Sequence, residues 1–123
     1  MNIPDGYRQV TPYLILKNAS EFISYTQKVF GAEEKFKEMR SANVIMHAEI
    51  KIGDCVIMFA DATEKFLPQP AGFFIYVENA DETFKKAANS GGTVVNEVAD
   101  QSYGRSGGVK DPFGNTWWIT SVK

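Results

Sequence analysis

Apolar and polar residues alternate most regularly over residues 44–52, where Val44, Met46, Ala48, Ile50 and Ile52 fall on one side of an extended chain. Ile45, His47, Glu49 and Lys51 fall on the other. Period-two alternation predicts a strand with one oily and one partly polar face. The same period over Val10 to Leu16 puts Thr11, Tyr13 and Ile15 opposite Pro12, Leu14 and Leu16, and Pro12, which has no backbone donor, suits an edge or an early strand position. Between them the spacing of Phe22, Ile23, Val29 and Phe30 is helical. Asn18 or Ser20 stands where a cap belongs and Gly31 where a helix stops. Glu34 to Met39 reads as a further strand, and Cys55 to Ala60 as another after a turn at Gly53-Asp54.

A loop holding Asp61, Lys65, Pro68 and Pro70 is the one plausible linker. Beyond it the pattern starts again: a strand over Gly72 to Val77, a helix over Ala80 to Ser90 ended by Gly91-Gly92, and a strand over Thr93 to Val98. Asp100 to Gly108 reads as a glycine-rich loop entering a short strand at Val109. The turn Asp111-Pro112-Phe113-Gly114-Asn115 then feeds a last strand, with Trp118, Thr120 and Val122 on one face and Trp117, Ile119 and Ser121 on the other. The two halves correspond at a constant spacing of 61 residues: Leu14 with Ile75, Asn18 with Asn79, Gly31 with Gly92, Gly53 with Gly114. The chain is therefore read as two copies of a βαβββ unit. One α+β domain over 1–123 is expected, with modules at about 8–62 and 71–123.

Composition narrows this picture little. At 123 residues the chain is long enough to bury a core, and a net charge of −2 gives no basic field to recruit nucleic acid or an anionic membrane. The single cysteine, Cys55, excludes an internal disulfide and is read as a small buried hydrophobe in a strand. The first residues lack a basic-then-apolar signal pattern, and no apolar run approaches the roughly 18–20 residues of a membrane span. The expected compartment is the cytoplasm.

Two groups of residues carry candidate chemistry. His47 and Glu49 are the sharp polar pair in an otherwise apolar strand, two residues apart and on one face. They suit a proton shuttle beside a base or orienting acceptor, or simply a polar pair at a solvated edge or a dimer interface. Tyr13, Phe74, Tyr76 and Trp118 fall on the strand faces expected to be left free by the helices, where they would give a largely apolar pocket with Thr11, Gln101, Tyr103 and Arg105 as polar handles. Their plain alternative is core, and for Arg105 an exposed loop charge.

The motifs Val10-Thr11-Pro12-Tyr13-Leu14, Phe30-Gly31-Ala32-Glu33, Met46-His47-Ala48-Glu49-Ile50, Ile52-Gly53-Asp54, Asp100-Gln101 with Tyr103-Gly104, and Asp111-Pro112-Phe113-Gly114 with Trp117 occur in that order along nearly the whole chain. In this they resemble the vicinal oxygen chelate superfamily, which includes glyoxalase I, extradiol dioxygenases and bleomycin-resistance proteins, and in particular its PhnB-like branch. The resemblance implies curled mixed sheets enclosing a cleft, helices on the outer face, and a homodimer. In metal-dependent members, four strand positions carry His, Glu or Gln ligands to a divalent ion. Here those positions fall on Thr11, Gly72, Ile57 or Met58, and Trp118, none of which supplies an imidazole or carboxylate. The resemblance thus implies a small-molecule-binding protein without a metal cofactor, holding an aromatic or amphipathic ligand. The alternatives are a lyase, isomerase or dioxygenase built on His47 and Glu49, with or without a divalent metal ion, and a subunit whose aromatic face recruits another protein.

Overall fold

A computed structural model describes residues 1–122. The chain divides into two compact units, Met1–Gln69 and the segment from Pro70 onward. The first contains β1 (Tyr13–Leu16), α1 (Ala19–Phe30), β2 (Glu33–Ser41), β3 (Val44–Ile52) and β4 (Cys55–Asp61). The second contains β5 (Gly72–Tyr76), α2 (Ala80–Asn89), β6 (Thr93–Gln101), β7 (Gly104–Lys110) and β8 (Thr116–Ser121). Each unit forms one four-stranded mixed sheet, in the orders β1-β4-β3-β2 and β5-β8-β7-β6, with the first and last strands of each unit paired in parallel and the other pairs antiparallel. The fold is α+β, with the βαβββ order occurring twice.

Each helix covers one face of its sheet. In the first unit Phe22, Ile23 and Val29 of α1 are buried with Leu14, Leu16, Ile45, Ala48, Ile50 and Phe59, and the rings of Phe22 and Phe59 meet edge to face at 5.0 Å. In the second, Ala80, Phe84 and Ala87 of α2 are buried with Val109, Trp117 and Ile119, and Phe73 stacks on Trp117 at 4.3 Å. Removing these side chains from water is the main driving force for each unit.

The helix ends show which local signals suffice. Gly31 adopts φ 68°, and the amides of Gly31 and Ala32 bond back to Gln27 and Thr26, closing α1 as expected. Asn79 caps α2 by accepting from Glu82 N. Asn18 does not cap α1 with its side chain: it sits at φ 58°, and the Ala19 amide donates to Asp61 Oδ1 (2.8 Å) at the far end of β4. The corresponding amide in the second unit, Ala80 N, donates to Ser121 Oγ (3.3 Å). The repeat thus extends to a long-range cap that differs in chemistry between the copies.

Four expectations need correction. The first strand begins at Tyr13 rather than Val10, with Pro12 just ahead of it at the sheet edge. The regular alternation over 44–52 is broken: β2 residues Glu38 and Met39 pair with His47 and Ile45, leaving Met46 as an extra, bulged residue. Ile45 thereby joins Ala48 and Ile50 in the core, while Met46 is turned outward. Finally, Gly104 to Gly108 is strand rather than loop, and the turn is confined to Ser102-Tyr103. The glycines are there for close approach: a Cβ on Gly107 would lie 2.8 Å from Val98 Cγ2, and one on Gly108 2.5 Å from Trp118 Cζ3. Cys55 is also exposed rather than buried.

Candidate functional site

The sheet face opposite each helix carries most of the residues singled out above, and the two units treat that face differently. In the first, strand pairing sets Glu49, Met58 and Tyr13 in one row across β3, β4 and β1, with His47 one pleat along. These side chains form a relay. Tyr7 O–H donates to Glu49 Oε1 (2.5 Å), Glu49 Oε2 lies 2.8 Å from His47 Nε2, and His47 Nδ1 lies 3.2 Å from the Tyr13 hydroxyl. Tyr13 and Phe36 flank the imidazole, with ring centroids 5.5 and 5.8 Å away. Glu49 is buried, and its desolvation pushes its carboxyl upward. The hydrogen bonds from Tyr7 and His47, with the attraction of His47 and Lys35, outweigh that and hold it below its ordinary value.

Tyr7 was not singled out from the sequence, although its signal is there: it follows the turn Pro4-Asp5-Gly6, in which Gly6 takes φ 85° and Tyr7 N bonds to Pro4 O. The N-terminal arm, residues 1–12, is secured to the unit by that phenol, by Lys35 Nζ lying 3.7 Å over its ring, and by an exposed Arg8–Asp54 ion pair at 3.1 Å. Between the arm and the sheet lies a groove of about 440 Å³ lined by Thr11, Glu49 and Met58 among others.

In the second unit the equivalent row is Gly108, Trp118 and Phe74. Where the first unit has a carboxylate, this one has a glycine, and the Trp118 indole lies directly over it. Phe74, Tyr76 and Tyr103 are 51%, 65% and 53% exposed. Phe74 contacts the other two rings at 5.3 and 6.0 Å. A groove of about 410 Å³ beside them is lined by Gln101, Tyr103, Ser106 and Trp118, and Ser106 and Thr120 share a 2.8 Å hydrogen bond next to it.

The strand that carries Trp118 is anchored at its start. Asp111, itself buried, accepts from the amides of Phe113 and Asn115, from Asn115 Nδ2 and from Trp117 Nε1, all at 2.8–2.9 Å. Asn115 Oδ1 in turn accepts from Ala71 N. The Asp-Pro-Phe-Gly-Asn turn is thus a charged anchor that fixes where β8 enters the sheet.

Arg105 does not join this face. It pairs with Ser121 on the helix side of β7, where its guanidinium holds Asp81 (2.6 and 3.0 Å) and Asp100 (3.2 Å). Arg105 holds the Asp81 carboxyl below its usual range, and the two aspartates raise the guanidinium further. It is engaged at the start of α2 instead of being presented to a ligand.

Of the positions that the resemblance assigned to metal ligation, Thr11, Gly72 and Trp118 lie on the open faces, and the choice between Ile57 and Met58 falls on Met58, since Ile57 is buried on the helix side. Among the described residues no three His, Cys, Asp or Glu side chains stand close enough together to hold a metal ion. No helix among the described residues is long and apolar enough to cross a membrane.

The chain is 28% identical over 120 residues to an uncharacterized protein of Mycobacterium bovis, Mb0911c, covering 88% of this chain and 79% of that one. Its fold is similar to that of a PhnB protein from Bacillus cereus (TM-score 0.75, 18% identity, 94% and 100% of the two chains). It is also similar to that of the bleomycin-binding protein of Streptomyces verticillus complexed with copper(II)-bleomycin (TM-score 0.63, 20% identity, 95% and 98%). The model of the Glyoxalase/Bleomycin resistance protein/Dioxygenase superfamily matches residues 9–119, nearly the whole repeat described above, and the chain belongs to that superfamily.

Proposed function

We propose that this protein binds a small aromatic or amphipathic molecule on the open faces of its sheets, working as a homodimer in the cytoplasm and without the divalent metal its family commonly uses. The observation that carries this reading is the cluster of Phe74, Tyr76, Tyr103 and Trp118, four aromatic side chains gathered on one face with three of them half exposed or more. Soluble proteins seldom leave such a patch uncovered unless something docks there. Thr11, Gly72, Met58 and Trp118 at the metal-ligand positions support the metal-free form. The net charge of −2 argues against nucleic acid or a membrane surface as the partner. The bleomycin-binding protein of similar fold, complexed with copper(II)-bleomycin, is a precedent for holding a small molecule on this fold.

The test is quenching of Trp118 fluorescence by a panel of small aromatic ligands, with Trp118→Phe as control. Saturable quenching that the control lacks is the expected result, and a flat response across chemically varied ligands refutes the reading.

A second reading, proton-transfer catalysis, is favoured by the relay through Tyr7, Glu49, His47 and Tyr13, which orients an imidazole beside a carboxylate as general acid–base catalysis requires. Metal analysis of protein purified without chelator, alongside His47→Ala, separates the possibilities. Stoichiometric metal that is lost in the variant overturns the metal-free proposal in either form.

A further inference from the structure

We infer that the open face of the first unit selects ligands that bring their own hydrogen-bond donor, namely a protonated amine on an apolar body, because every proton of its four-residue relay is turned inward. The inference rests on the small-molecule reading above and gives that ligand a chemical class.

The argument is an accounting of donors and acceptors. Ionised Glu49 can only accept. Tyr7 therefore spends its one proton on Oε1, and the atom facing Oε2, His47 Nε2, carries the ring proton. When the imidazole is neutral, Nδ1 carries the lone pair, and the atom facing that lone pair at 3.2 Å is the Tyr13 hydroxyl. Tyr13 has one proton and spends it there. All three bonds run toward the carboxylate, so what the Tyr13 end offers to the outside is oxygen lone pairs and no proton. Tyr13 is 48% and Phe36 47% exposed, and their rings beside His47 add π faces that attract cations and repel anions. The nearby cation, Lys35, is at the opposite end of the relay, seated on the Tyr7 ring. An ammonium group at Tyr13 finds an acceptor, aromatic faces and the Glu49 charge behind them. A carboxylate at the same place finds no donor in the relay.

The chain has a single histidine, so imidazole nitrogen NMR reports His47 without assignment. The intact protein is titrated with 2-phenylethylammonium and, separately, with 3-phenylpropionate, which match in ring and chain and differ in charge. Trp118 fluorescence is read alongside. The free protein is expected to show the Nε2–H tautomer, and the ammonium to shift the imidazole signals and bind about tenfold or more tightly than the carboxylate, as the loss of one charge-assisted hydrogen bond implies. Tyr13→Phe keeps the ring and removes the acceptor, so it should erase most of that preference. Glu49→Gln offers an amide donor, lets the relay run the other way, turns the Tyr13 proton outward, and should erase it too. An Nδ1–H tautomer or a doubly protonated ring in the free protein under the titration conditions, or equal or reversed preference, overturns the inference. So does a ligand response at Trp118 with none at His47, an outcome that leaves the small-molecule reading standing. Silence of both reporters toward the full aromatic panel refutes that reading and the inference with it.

Discussion

Alanine at Gly107 and alanine at Gly108 add the same methyl group to opposite faces of β7, and the two variants are expected to fail in different ways. The Gly107 methyl enters the helix side, 2.8 Å from Val98 Cγ2 and 2.9 and 3.0 Å from two carbons of the Phe84 ring. Apolar carbons prefer about 3.5–4.0 Å, so the overlap is roughly 0.5–1 Å against two neighbours, one of them the buried Phe84 that seats α2. Overpacking of this kind costs about 1–3 kcal/mol. Restricting the unfolded chain returns about 0.4–1 kcal/mol, leaving a net loss on the order of 1–2 kcal/mol. The Gly108 methyl meets the other face, 2.5 and 2.7 Å from Trp118 Cζ3 and Cε3. That overlap is larger, but it falls on the far end of a half-buried ring that can swing toward solvent. Stability should change by less than about 1 kcal/mol while the indole leaves its seat. Urea unfolding followed by far-ultraviolet circular dichroism measures the first effect, and acrylamide quenching of tryptophan emission the second. Trp117 is 1% exposed and contributes a constant background. If Gly108→Ala is the less stable variant while its emission is unchanged, the faces of β7 have been assigned the wrong way round, and the aromatic surface with them.

Other consequences can be measured directly. Asp111→Ala strands the buried donors of Asn115 and Trp117, each worth about 1–3 kcal/mol when unpaired. A total loss of about 3–5 kcal/mol is expected after water partly fills the gap, and a loss under about 1 kcal/mol in chemical denaturation would contradict the anchor. Ile45→Ala should cost about 2–4 kcal/mol and Met46→Ala about 0.5 kcal/mol or less; equal costs, or the reverse order, would remove the bulge. Glu49 has a depressed pKa in the folded protein, so the stability it confers is complete above the ordinary carboxylate value and is lost as pH falls through the folded one. Unfolding free energy between about pH 6 and pH 3 should therefore fall less steeply in Glu49→Gln than in the parent, and parallel curves would show that the Tyr7 and His47 bonds do not stabilise the ionised form.

What the amino-acid sequence determined is what neighbouring residues decide among themselves. Helix α1 stops at Gly31 because a left-handed residue there closes the last turn, whatever lies beyond it. The bounds of β3, the two faces of β8 and the duplication follow from side-chain periodicity and turn chemistry repeated along the chain. His47 and Glu49 could be paired on one face because they are two residues apart on a strand, and no partner is needed to know that. The remaining features depend on groups far away in sequence. Met46 is expelled because β2 supplies one residue fewer than β3 at that point. Gly107 and Gly108 resemble loop residues until Phe84 and Trp118 are seen pressing on them from either side. Arg105 is claimed by Asp81, 24 residues away, and the relay is completed by Tyr7, 42 residues from Glu49. Local chemistry sets where an element begins, ends and turns. Which side chain a polar group finally meets is decided by burial and by the competition among partners that folding brings within hydrogen-bond distance, and a linear pattern does not encode that competition.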